Sequence, residues 1–250
     1  MFREYLSEDN IVLIDGTSEG TQVKYRKGDY WYKEDNRGRE GLAVEYLVSH
    51  FLTFTDLRSE EYILYEQGYI NEKRGCRSKN FLKENESLVT FYRLYYSEFG
   101  GNLAERLAKI STMEERIAFA LKMIRSLTGL DVTDYLKKIF MLDMIVLNED
   151  RHVNNLAVIF DGTEFRPAPI FDNGVSLLTA NLSVNWHFSM EENVKRVIAR
   201  PFSGSHEKMY EYFGKGFSVD WDEFLRWLDE QEDTKEKEVF RYQAERYAKI

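Results

Sequence analysis

The sequence predicts an α+β chain in two unequal parts: a small β-rich N-terminal lobe over residues 1–82 and a larger, mainly helical lobe over 83–250. Three observations predict it. Short strand-like runs separated by Gly-bearing turns fill the first part. Apolar residues at helical spacing dominate the second. Between a long apolar helix and a pair of short strands lies an eight-residue, mostly polar loop, Asn148-Glu149-Asp150-Arg151-His152-Val153-Asn154-Asn155. Strands followed by helices give an α+β arrangement.

In chain order, residues 11–14 are a short apolar strand that runs into the Gly-bearing turn 15–21. Residues 22–26 and 30–33 alternate as strands about the turn Lys27-Gly28-Asp29, a hairpin signal. Residues 42–52 are a helix with apolar residues around most of it, and 61–71 and 75–82 are two more strands. Residues 102–126 carry a helical stripe of Leu103, Leu107, Ile110, Ile117, Leu121 and Ile124 with a break at Ser111-Thr112. Ser111 with Glu114, and Thr112 with Glu115, both have capping-box spacing. Residues 132–147 form a second long helix that Asp131 or Thr133 would cap. Strands at 156–160 and 165–171 flank the turn Asp161-Gly162, and helices follow, clearest at 221–231 and 236–249. The charged run 230–238 reads as a solvated helix face, with Asp233 and Lys237 spaced for an i,i+4 pair.

Composition narrows the function. The 250 residues are 43% hydrophobic with three prolines and one cysteine, which excludes collagen-like, proline-rich and disulfide-scaffold chains. Acidic residues number 43 against 34 basic ones, a net charge of −9, so no direct nucleic-acid binding is expected. No apolar run reaches the roughly 20 residues that cross a bilayer, and the N-terminus has no secretory pattern. A lone Cys76 fits a reducing compartment, and a cytoplasmic protein with no membrane partner is expected.

The polar loop carries the chemistry. Phosphoryl transfer needs a carboxylate to accept a hydroxyl proton and oxygen ligands for magnesium. Asp150 can be that base. Asn155, five positions on, and Asp172 of Asp172-Asn173-Gly174 can be metal ligands, brought together by the hairpin between them. Asp143, on the apolar helix, is expected to bond backbone N–H groups of the loop, because a buried carboxylate needs partners.

Asp-Arg-His-x-x-Asn after an apolar helix, with an Asp turn about twenty residues later, resembles the HipA-like kinases and, more distantly, the phosphatidylinositol 3-kinase-like kinases. Typical protein kinases carry His-Arg-Asp and aminoglycoside phosphotransferases His-Gly-Asp, with His before Asp. Here His152 follows Asp150, while the Asp-to-Asn spacing is shared by all these groups. The resemblance implies a bilobal protein-kinase-like fold, ATP and Mg²⁺ as cofactors, Asp150 as base, His152 as a supporting residue of the loop, and Asn155 and Asp172 as metal ligands. Asp-Asn-Gly stands in place of the protein-kinase Asp-Phe-Gly, which removes the phenylalanine switch.

A kinase also needs a lysine on the α- and β-phosphates and a glutamate that holds it. Lys33 and Glu45 are the natural pair. Trp31, two positions before Lys33, faces the same way where a small residue usually lets adenine approach, so Lys24 stays open as the alternative. Gly16, Thr17, Ser18 and Gly20 sit where a phosphate-covering loop is expected. The family's control by a phosphoserine in this region marks Thr17, Ser18 and Thr21 as candidate autophosphorylation sites. Asn80-Phe81-Leu82-Lys83 is the hinge position, where Phe81 and Leu82 would meet adenine. HipA carries an extra N-terminal subdomain that this chain is expected to lack. A small antitoxin, or a separate protein resembling that subdomain, is the partner the resemblance implies.

Three functions follow. The first is a HipA-type ATP-dependent Ser/Thr protein kinase, within a toxin–antitoxin setting. The second is a kinase of a small molecule or lipid headgroup, and the third a non-catalytic nucleotide-binding or interaction module.

Overall fold

The computed structural model describes residues 1–12, 23–34 and 42–249. Gly16, Thr17, Ser18, Gly20 and Thr21 of the expected phosphate-covering loop lie outside these residues, as does most of the strand expected at 11–14. Of that strand, Ile11 bridges to Tyr25 and the Val12 N–H donates to Lys24 O at 2.9 Å.

A five-stranded sheet is built from β1 (Phe2–Glu4), β2 (Lys24–Lys27), β3 (Tyr30–Glu34), β4 (Tyr65–Ile70) and β5 (Lys73–Lys79), in the order β1-β4-β5-β3-β2. Lys27 pairs with Tyr30, leaving Gly28-Asp29 as a two-residue turn. Gly28 has φ +57°, which the tight hairpin requires and glycine adopts without strain. Among the described strands only β1 runs parallel to its neighbour, with Phe2 opposite Gly68, and it was not expected. Three residues with a single full alternation carry too little pattern to be read as a strand. β4 starts at Tyr65 rather than 61, because Ser59–Glu61 closes into a 3₁₀ turn that Glu61 caps through the Arg58 N–H.

α1 (Leu42–Phe51) crosses behind this sheet. Val44, Val48 and Phe51 are fully buried, and they belong to the main core of the helical part. The Phe51 ring lies 4.8 Å from Phe224 and 5.3 Å from Phe240, so this helix is anchored from the far side.

A second sheet, β6-β7-β8, joins β6 (Ser87–Thr90), β7 (Ala157–Phe160) and β8 (Phe165–Pro167), all antiparallel. The β7–β8 hairpin was expected, although β8 is shorter; β6 was not. The chain then enters α2 (Phe91–Phe99), where the Thr90 Oγ1 caps the Arg93 N–H at 3.1 Å and Gly100 ends the helix in the left-handed region. The aromatic run Phe91-Tyr92-Arg93-Leu94-Tyr95-Tyr96 has strand-like propensity, so its helicity comes from the cap and from burial of Phe91 and Leu94.

α3 (Leu103–Ala108) and α4 (Met113–Thr128) meet at the expected break. Of the two capping boxes with the right spacing, Thr112 and Glu115 form one and Ser111 is not the cap. α5 (Thr133–Val146) is the buried spine of the helical part. Its N-cap residue is Val132, not Asp131 or Thr133, although Asp131 Oδ1 does accept from the Thr133 N–H at 3.0 Å. α6 (Met190–Val194), α7 (His206–Phe213), α8 (Trp221–Asp229) and α9 (Lys235–Tyr247) complete the chain. The Asp233–Lys237 pair forms at 2.9 Å, but Lys237 is buried and also donates to Asp229 O and Gln231 O, so this end of the run is a cap rather than a solvated face. Among the described residues no helix is long and apolar enough to cross a membrane.

Candidate active site between the two sheets

α5 ends at Leu147, whose φ of +57° turns the chain sharply out of the helix. A bulky residue is strained there, and the loop that follows is held on every side. Asn148 Oδ1 accepts from the Asp150 N–H at 2.9 Å, and Asn155 Nδ2 donates to Asp150 O at 3.0 Å. These bonds fix the backbone of Asp150 from both flanks and leave its carboxylate partly exposed.

Arg151 is the hub of the loop, and the sequence reading did not single it out. It is fully buried. Its guanidinium binds both oxygens of Asp143 at 3.0 Å, donates to Phe171 O at 3.0 Å and to Asn173 Oδ1 at 2.6 Å. Asp143 therefore does not bond the loop's backbone N–H groups as expected; its carboxylate is taken by a bidentate ion pair, the stronger partner for a fully buried charge. The signal was present in the sequence, since a carboxylate on an apolar helix demands a cation and Arg151 is eight positions on. Through Arg151 the loop of Asp150 is bolted to the loop of Asp172.

Asp172 has φ +60°, a left-handed conformation that Asp tolerates better than most residues. Its Oδ1 lies 2.8 Å from Lys33 Nζ, and Lys33 Nζ lies 2.8 Å from Glu45 Oε1. The other oxygen of Glu45 accepts from the Asn173 N–H at 3.0 Å. Glu45, 2% exposed, thus orients both the lysine from β3 and the Asp172 loop. Lys33 makes both of these ion pairs. Lys24 stands opposite Lys33 in the β2–β3 ladder and also lines the cleft.

The charges set one another. Burial works against the Lys33 ammonium, but Asp172 and Glu45 outweigh it and raise its pKa well above the usual lysine value. Burial likewise opposes the Asp172 carboxylate, and the charges of Lys33 and Lys24 hold its pKa well below the usual range. Asp150 goes the other way: burial raises its pKa, with Asp172 adding to the rise and His152 opposing it. Two carboxylates of one site are thus driven apart, one firmly ionised and one poised nearer to protonation.

His152 Nδ1 accepts from the Asn154 N–H at 3.2 Å, which leaves Nε2 to carry the proton of the neutral ring. Nε2 lies 3.8 Å from Asp150 Oδ2. Asn155 Oδ1 is buried and has no hydrogen-bond partner among the described residues. A buried amide oxygen left unpaired is costly, and a hard cation takes such an oxygen together with carboxylates. Asn155 and Asp172 thus fit a magnesium ion by their chemistry.

A cleft of about 540 Å³ opens beside Lys33 and Asp172, within the size range of small-molecule sites. Trp31, Ile63, Phe81, Leu82 and Phe171 supply its apolar walls. The Phe81 and Phe171 rings stack at 6.1 Å. Phe81 and Leu82 thus line the cleft, and so does Trp31.

Among solved structures, the chain is similar to the Helicobacter pylori proinflammatory kinase CtkA, with a TM-score of 0.65 and 17% identity, over 94% of this chain and 90% of that one. This is a kinase-like fold. The likeness agrees, at the level of the fold, with the resemblance to HipA-like kinases carried by the polar loop. HipA of the Shewanella oneidensis toxin–antitoxin system, solved with HipB and operator DNA, aligns at a TM-score of 0.46 and 11% identity, over 96% of this chain and 54% of HipA. No protein-family model and no curated protein matches the chain.

Proposed function

We propose that this protein is an ATP-dependent kinase of HipA type that phosphorylates a serine or threonine hydroxyl of a protein substrate. The observation that carries the reading is Lys33, held at 2.8 Å by both Glu45 and Asp172 at the mouth of an apolar cleft. A pure binding module has no need of a half-buried lysine clamped between two carboxylates with a third, Asp150, beside them.

Asn155 and Asp172 would hold Mg²⁺, and Lys33 the α- and β-phosphates. Mg-ATP supplies the transferable phosphoryl group and the counter-charge for it. The chain does the rest by positioning. Asp150 accepts the proton of the substrate hydroxyl on its exposed carboxylate. Its raised pKa makes it a stronger base toward that proton than an ordinary aspartate. His152 Nε2 faces the same carboxylate and steadies its charge. Arg151 keeps Asp150 and Asp172 in fixed relation, so that base and metal ligands stay in register.

The test is transfer from labelled ATP by the pure protein, with and without Mg²⁺, beside Asp150→Ala and Asp172→Ala. Mg²⁺-dependent transfer to protein hydroxyls that both variants lose is expected. Transfer to small molecules or lipid alone would replace the protein-kinase reading by the small-molecule one, and no transfer or hydrolysis at all would refute both. The small antitoxin-like partner is sought by co-purification with the tagged protein expressed from its own locus.

A further inference from the structure

Within the nucleotide reading above, we propose that the cleft grips the nucleobase by its faces rather than by its hydrogen-bonding edge, and so accepts guanosine as readily as adenosine triphosphate. The inference rests on that reading, and it concerns Trp31, Asn80 and Leu82.

Adenine and guanine share their π-faces and differ along one edge. Adenine presents an N6 donor and an N1 acceptor; guanine presents an O6 acceptor and an N1–H donor. A hinge that offers a backbone C=O and N–H to this edge selects adenine. Here the hinge groups of Leu82 are already engaged by the chain itself. Asn80 Nδ2 donates to Leu82 O at 2.9 Å, and the Leu82 N–H points to Asn80 Oδ1 at 3.4 Å. The Asn80 carboxamide is therefore an internal stand-in for the donor–acceptor edge of a base.

Asn80 is not free to swing away. Its Oδ1 also accepts the Trp31 indole N–H at 3.1 Å, and its backbone N–H donates to Asp29 O at 2.6 Å. Only one orientation of the carboxamide satisfies these partners, oxygen toward the two N–H groups and nitrogen toward the carbonyl. A base that read Leu82 along its edge would compete with this clip.

What the cleft offers instead is apolar and aromatic surface. Trp31 stands on the same face of β3 as Lys33 and lines the cleft with Phe81 and Phe171. Stacking on an aromatic ring is tolerant of base identity, because every base has a π-face. The indole that crowds the position where adenine is usually admitted thus becomes the main contact with the base. Its clip to Asn80 holds it in place.

Calorimetric titration of the full chain with Mg-ATP and with Mg-GTP tests this. Dissociation constants within about threefold of each other are expected for the wild type. Trp31→Ala should weaken both nucleotides by about tenfold, the loss of one stacking contact. Asn80→Ala releases the Leu82 groups and should shift the ratio toward ATP by about fivefold or more, as one or two edge hydrogen bonds are restored. A wild-type preference for ATP above about tenfold would show that Leu82 reads the edge despite Asn80, and would overturn the proposal while leaving the kinase reading intact. So would a folded Trp31→Ala protein that binds both nucleotides as tightly as wild type. Binding of neither nucleotide by the wild type would overturn the kinase reading itself, and this proposal with it.

Discussion

Replacing Arg151 by Met tests the central joint of the site. The side chain is 0% exposed, and its guanidinium makes bonds of 2.6 to 3.0 Å to Asp143, Phe171 O and Asn173 Oδ1. Methionine fills much of the volume but removes every one of those donors. Asp143, also 0% exposed, is then a buried carboxylate with no counter-charge among the described residues. Breaking a buried pair from one side costs about 3–5 kcal/mol. For a chain of this size each kcal/mol lowers Tm by about 2–4 °C, so a fall of roughly 6–20 °C is expected in thermal unfolding followed by circular dichroism. The double variant Asp143→Leu/Arg151→Met removes both charges and should recover most of that loss. It should not recover phosphoryl transfer, because Phe171 O and Asn173 remain without the anchor that ties the Asp172 loop to Asp150. An Arg151→Met protein within about 1 kcal/mol of wild type would refute the reasoning. So would a double variant that transfers phosphate at the wild-type rate.

Asp150 acts as a base only when ionised, so its burial-raised pKa places the acid limb of the rate above the usual Asp value near 3.8, with rate lost as pH falls through it. His152 opposes that rise, and His152→Ala should move the limb to still higher pH; a shift to lower pH in a pH–rate profile would contradict the assignment. Glu45→Gln retains an oxygen to accept the Asn173 N–H but loses the charge on Lys33. Transfer should fall by about a hundredfold, with Tm lowered only slightly; steady-state kinetics beside a melting curve would check both. Asn155→Ala removes the buried, unpartnered Oδ1, and the Mg²⁺ concentration for half-maximal transfer should rise by at least about tenfold. An unchanged magnesium titration would remove Asn155 from the metal site.

Much of the site was legible along the chain. Asp150 and Asn155 stand at a spacing that the loop closes through the Asn155 Nδ2–Asp150 O bond, and Asp172 follows the β7–β8 hairpin; both are local structures. The Lys33–Glu45 pairing was legible only as a choice between two lysines. Lys24 and Lys33 stand opposite each other in one ladder, so strand pattern alone could not separate them. What the sequence did not disclose depends on contacts far apart in the chain. β6 is four residues whose pairing partner, β7, lies some seventy positions on. α2 is helical despite an aromatic run because its cap and its buried face outweigh propensity. Asn80 was legible only as the first residue of the hinge segment, and its clip to Trp31 spans 49 positions.

The sequence by itself determined the α+β plan and set the acidic and amide groups of one loop together, because that loop and the periods of helix and strand are local properties. Only the tertiary structure decided how those groups are charged and fastened. Arg151 rather than loop backbone neutralises Asp143, Glu45 serves both Lys33 and Asn173, and Asn80 binds the backbone of Leu82. Each is a buried or half-buried polar group finding a partner, and in a folded chain that partner is chosen by what packing brings within about 3 Å, not by what lies next in sequence.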